Sequence, residues 1–140
     1  VEVFDNDIYG NGTVNLSIVT YGYETEDENY NPHPKSIQIH GNRFGDGGFD
    51  PDVGTGELAA ILFELSDGNM PDIFWDGILP MNQMLFGQPS KEKLIISNNG
   101  DATFLTINPV KYLLPFFDPV ERDIAEYEGE IKPLPEVILN

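Results

Sequence analysis

The chain has 140 residues, 24 acidic and 7 basic side chains, a formal net charge of −17 and no cysteine. That balance argues against nucleic acid and anionic lipid surfaces as partners, since both require phosphate-neutralising Lys and Arg; it suits a salty or calcium-rich medium or a cationic partner. Without cysteine there is no disulfide, thiolate zinc site or thiol nucleophile, and no apolar run reaches the roughly eighteen residues of a membrane span.

Taken in chain order, strands are predicted at Val1–Phe4 and Val14–Tyr21 around a Gly10-Asn11-Gly12 corner. Alternation puts Val14, Leu16 and Ile18 on one face, with Val19 and Tyr21 on the other. Residues 22–35 are acidic, carry Tyr and two prolines, and read as a loop. A strand and bend follow at 36–44, then a Gly- and Asp-rich stretch from Gly45 to Gly56. Glu57 to Ser66 predicts a helix, with Leu58, Ile61, Leu62 and Leu65 on one apolar face and Asp67-Gly68 as its stop. Asp72–Leu79 reads as a return strand, Pro80–Gly87 as a turn or short helix, and 93–107 as strand, turn and strand. In the tail, Pro109, Pro115, Pro119, Pro133 and Pro135 exclude continuous strands. Asp118-Pro-Val-Glu121 has a capping-box spacing that predicts a short helix up to about Gly129, and Leu113 to Phe117 reads as an apolar end plug.

Two stretches repeat without a gap: Val1-Glu-Val-Phe-Asp-Asn-Asp-Ile8 and Ile37-Gln-Ile-His-Gly-Asn-Arg-Phe44. Leu94-Ile-Ile-Ser-Asn-Asn-Gly100 is a weaker third copy. Repeats of this kind predict stacked layers, with Asn6, Asn42 and Asn99 above one another as a hydrogen-bonded ladder. The fold predicted is all-β, a right-handed parallel β-helix. Its coils cover 1–107, with a helix-containing insertion at about 45–92, and 108–140 form an irregular Pro-rich cap. The chain opens inside a strand, so it reads as a fragment of a longer protein, with the missing N-terminal coils supplied by the same protein or another chain.

The blocks Val-Glu-Val-Phe-Asp-Asn-Asp-Ile (1–8), Leu-Ser-Ile-Val-Thr-Tyr (16–21), Asn-Tyr-Asn-Pro-His-Pro (29–34), Ile-Gln-Ile-His-Gly-Asn-Arg-Phe (37–44), Pro-Asp-Ile-Phe-Trp-Asp-Gly (71–77) and Asn-Asn-Gly-Asp-Ala-Thr-Phe (98–104) occur in this order. In these the chain resembles the C-terminal part of a family of exported bacterial parallel β-helix repeat proteins. The resemblance implies export to the periplasm, cell surface or medium. It also implies a gene neighbour encoding an exported dihaem c-type cytochrome, a potential partner. It brings no catalytic motif, and the cysteines common near this region of the family are missing here.

Three side-chain groups carry the chemistry. Asp46, Asp50, Asp52 and Glu57, interleaved with glycines, offer the oxygen donors that calcium prefers, although a solvated acidic loop is the plainer reading. Trp75, Tyr21, Tyr23, Tyr30 and Phe49, with Asp72 and Asp76, combine flat rings with carboxylates, as polysaccharide-binding surfaces and glycosidases do. Core packing of Trp75 is the alternative. His40 with Lys35 and Arg43 is the nearest approach to a lyase-like base and cation set, while His33 and His40 lack a third ligand for a transition metal. The functional expectation is a non-catalytic scaffold segment that binds a protein partner or glycan. A polysaccharide lyase, epimerase or glycoside hydrolase is one alternative, and a calcium-stabilised structural module is another.

Overall fold

Short strands follow from closely spaced turn residues. Asp5, Gly41 and Asn98 each take a left-handed backbone (φ +53°, +64° and +55°), and each directly precedes one of the repeated asparagines. In chain order the computed structural model, which describes residues 1–22 and 26–132, forms β1 (Glu2–Phe4), β2 (Asp7–Tyr9), β3 (Leu16–Ile18), β4 (Ile37–His40), β5 (Arg43–Gly45) and α1 (Glu57–Leu65). There follow β6 (Ile73–Trp75), α2 (Met81–Phe86), β7 (Leu94–Ser97), β8 (Phe104–Ile107), α3 (Pro109–Tyr112) and β9 (Val120–Glu121). Single 3-10 turns lie at Ser90–Glu92 and Ile124–Tyr127.

The strands fall into three small sheets. One has the order β1-β4-β7 and is parallel, with Val3 beside Ile39 and Ile39 beside Ile96. The second contains β2 and β5 alone. The third runs β3-β6-β8-β9, with Ile18 beside Trp75, Trp75 beside Thr106, and β9 antiparallel to β8.

This arrangement corrects the expected parallel β-helix. Among the described residues there are short strands in small parallel and mixed sheets, three α-helices, and no solenoid or closed sheet, so the class is mixed α/β. The repeats specify a local strand, bend and neighbour, but not continuous coils. The second sheet is only two strands deep, the segments between layers fold into helices, and β9 ends the third sheet antiparallel.

Alternation within the strands builds the core. Ile39, Ile96, Ile18, Trp75 and Phe104 meet between the first and third sheets. On the other face of the third sheet, Phe74 and Leu105 pack against Leu62 of α1. Each such side chain contributes roughly 1.5–3 kcal/mol by leaving water.

The tail also departs from expectation. Asp118 Oδ1 accepts from Val120 N at 2.9 Å, a local turn that leads into β9 rather than a helix. Leu113 to Phe117 plugs nothing: Leu113 is 78% and Phe116 fully exposed. Tyr127 closes that end of the core instead, edge-on to Trp75 (5.6 Å) and tilted over Phe104 (4.8 Å). Pro133 and Pro135 lie outside the described residues.

Candidate functional site

Helix α1 carries apolar side chains on more than one side, and the sheet beneath accepts only part of them. Ala59 and Leu62 turn inward, while Leu58 and Ile61 stay 43% and 49% exposed. Opposite them stands α3. Asn108 Oδ1 accepts from Val110 N and Lys111 N at 3.1 Å each, and Pro109 supplies a preset first turn. This short helix carries Tyr112 and Leu113 out of the sheet, both largely exposed. Between the two helices lies an apolar groove of about 550 Å³, with Phe74 and Ile107 among its lining residues. Glu57 and Glu64, both exposed, stand on α1 beside Ile61.

The repeated asparagines are joined. Asn6 N and Nδ2 donate to Asn42 Oδ1 at 3.1 and 3.0 Å, and Asn42 N and Nδ2 donate to Asn99 Oδ1 at the same distances. Asn42 Nδ2 also donates to the carbonyls of Val3 and His40, and Asn99 Nδ2 to that of Ile39.

His40, Lys35 and Arg43 are not assembled into one site. His40 Nε2 lies 2.8 Å from Glu2 Oε1, and its ring stacks on Phe4 at 5.3 Å. Arg43 Nε bonds Asp7 Oδ1 at 2.5 Å, and that guanidinium holds the Asp7 carboxyl below its usual range. Lys35 lies instead near His33, Gln83 and Glu92. Asp72 and Asp76 are occupied as corner braces. Asp72 Oδ2 takes Thr103 N and Oγ1 (2.9 and 2.7 Å), while its Oδ1 takes Asn15 Nδ2 (3.0 Å). Asp76 accepts from Thr20 N at 2.5 Å and Ile78 N at 3.0 Å.

The aromatic group is dispersed as well. Trp75 is 6% exposed and belongs to the core, because its strand position faces the first sheet; it presents no open ring for stacking on sugar. Tyr21 lines the apolar groove, and the Tyr30 hydroxyl donates to the Tyr21 carbonyl. Phe49 is exposed, and Tyr23 lies outside the described residues.

Asp46, Asp50, Asp52 and Glu57 do not converge: among the described residues no group of three or more His, Asp or Glu is placed to hold a metal ion. Asp52 caps its own loop, accepting from Thr55 Oγ1 at 2.5 Å and Thr55 N at 3.2 Å, and the Thr55 hydroxyl chiefly lowers its pKa.

One polar group was not singled out from sequence. Lys111 Nζ lies 2.7 Å from Glu121 Oε1, which also accepts from Asn108 Nδ2 at 3.2 Å. This pairing raises the Lys111 pKa. Burial, reinforced by Glu121 and Glu126, pushes the Tyr127 hydroxyl up to about 12. The Asn108-Pro109 pair was the available signal, a cap residue followed by Pro at the first helical position.

Comparison of the chain with family models, curated proteins and solved structures gives no match.

Proposed function

We propose that the protein is a non-catalytic binding module that docks a cationic amphipathic helix of a partner protein in the groove between α1 and α3. The observation that supports this reading is the groove itself, about 550 Å³ and walled by Leu58, Ile61, Tyr112 and Leu113. An amphipathic helix buries an apolar stripe in such a groove through side chains at i, i+3 or i+4, and i+7. Charge selects the kind of helix. Glu57 and Glu64 flank Ile61, and the whole chain carries −17, so Lys and Arg beside the partner's stripe are favoured. The reading is of binding rather than catalysis because Asp72, Asp76, His40 and Arg43 each have local structural partners.

The test is titration with a synthetic Leu/Lys amphipathic helix of about three turns, and with a scrambled peptide of the same composition. Roughly micromolar binding is expected, weakening as salt rises and falling at least about tenfold in Ile61→Glu. Equal binding of the scrambled peptide, or an unchanged affinity of the folded variant, would remove the reading.

A further inference from the structure

The second sheet stops one strand short of its neighbours. The first and third sheets continue past β4 and β6 to β7 and β8, whereas no strand among the described residues follows β5. The cause is a short cut in the third repeat. Between Asn42 and Asp72 the chain passes through β5 and α1, but between Asn99 and Thr103 it passes only through Gly100, Asp101 and Ala102. Gly100, left-handed at φ +64°, turns the chain out of strand geometry there. Both ends of the short cut are fastened to the layer before: Asn42 N donates to Asn99 Oδ1 at 3.1 Å, and Thr103 N to Asp72 Oδ2 at 2.9 Å. A cavity of about 630 Å³ remains where the missing strand would run, lined by β5 and by residues 98–103.

β5 presents the groups that such a strand would bond. In a parallel pair a residue turns both its N–H and its C=O to one neighbour, and the next residue turns both to the other side. Arg43 N donates to Asn6 O at 2.8 Å, so Arg43 and Gly45 serve β2. Phe44 N–H and C=O face the cavity, and no strand among the described residues pairs with them. An open edge of this kind is what an added peptide strand uses. The lining selects the peptide. Phe44 and Ala102 are half-buried against the core, which suits a small apolar residue at the peptide's centre. Asp46 and Asp101 are exposed, whereas Arg43, the one cation in the lining, is held by Asp7. Lys or Arg at the ends of the peptide is therefore favoured.

We infer that the cavity beside β5 receives a short extended segment of a partner protein, apolar at its centre and basic at its ends, as the third strand of the second sheet. The segment runs parallel to β5, as β5 does to β2. The carbonyl before its central residue accepts from Phe44 N, and the amide after it donates to Phe44 O. The cavity shares no lining residue with the α1–α3 groove, so the inference does not rest on helix docking there.

The peptide Lys-Thr-Val-Thr-Lys, blocked at both ends, is titrated into the isotope-labelled full chain and followed by amide NMR. Saturable shifts centred on Phe44 and residues 100–102 are expected, with half-saturation in the roughly millimolar range and slower hydrogen exchange at the Phe44 amide. Methylating the peptide nitrogen after Val removes one strand bond and should weaken binding at least about threefold. Replacing both Lys by Glu should weaken it at least about threefold at low salt, and Asp101→Lys should narrow that preference. The peptide controls carry the test if Asp101→Lys fails to fold. Absence of saturable shifts, equal binding of the methylated or the Glu peptide, or shifts confined to Leu58 and Ile61 would overturn the proposal. So would protection of Phe44 that grows with protein concentration alone, which would make a second copy the occupant.

Discussion

Asn42 shows how much a single side chain can hold. It is 2% exposed, its Oδ1 accepts twice from Asn6, and its Nδ2 reaches Val3 O, His40 O and Asn99 Oδ1. Truncation leaves several of these groups unpaired away from water, and each orphan costs about 1–3 kcal/mol. Asn42→Ala is therefore expected to lose roughly 2–4 kcal/mol in urea unfolding. Asn6→Ala, at the exposed end of the same ladder, should lose clearly less. Equal losses would mean that burial does not govern the ladder's contribution. The ladder was legible because the asparagines recur at one place in a repeated pattern. The left-handed residue beside each was less so: Asp5, Gly41 and Asn98 differ in type and share only a backbone conformation. At Gly41 a Cβ would also meet Asp5 Oδ1, so that position combines an unfavourable φ with a close contact.

At the scale of the element, α1 divides its apolar residues between two tasks. Leu62 is 1% exposed against Phe74 and Leu105, and Leu62→Ala should cost about 2–5 kcal/mol. Leu58→Ala should change stability by less than about 0.5 kcal/mol while weakening the Leu/Lys peptide. Chemical denaturation and the peptide titration, run on the same two variants, separate the tasks. If Leu58→Ala destabilises as much as Leu62→Ala, the groove is part of the core and not a docking face. The helix itself could be read from its spacing. Which stripe it buries could not, because the sheet beneath offers one narrow apolar face and leaves Ile61 and Leu58 uncovered.

The whole molecule is closed at one end by Tyr127. Its hydroxyl titrates at about 12 in the folded chain, against an ordinary value of 10.0. With the folded value the higher, its contribution to stability is complete below pH 10 and is lost as pH rises from there through about 12, since the unfolded chain gives up the proton first. Alkaline unfolding should therefore steepen above pH 10, and Tyr127→Phe should remove that share of the slope. Matching slopes for the two proteins would show that Tyr127 is not the group responsible. Charge also acts at this scale: with a net charge of −17, association with a cationic partner should be fast and salt-sensitive.

Sequence by itself determined the features that rest on near neighbours in the chain. Alternation marked the strands, the repeats aligned their asparagines, and the 3.6-residue spacing marked α1. The absence of cysteine left this chain no disulfide or thiol chemistry. Tertiary structure alone decided whether the repeated layers run on as coils or break into small sheets, since this depends on how the intervening segments pack. It also placed Trp75 in the core, drew Asp72 and Asp76 into corner braces, and kept Asp46, Asp50, Asp52 and Glu57 apart. The physical reason is common to all of these. A side chain's role is set by the surface and partners across from it, and residues far apart in the chain supply them.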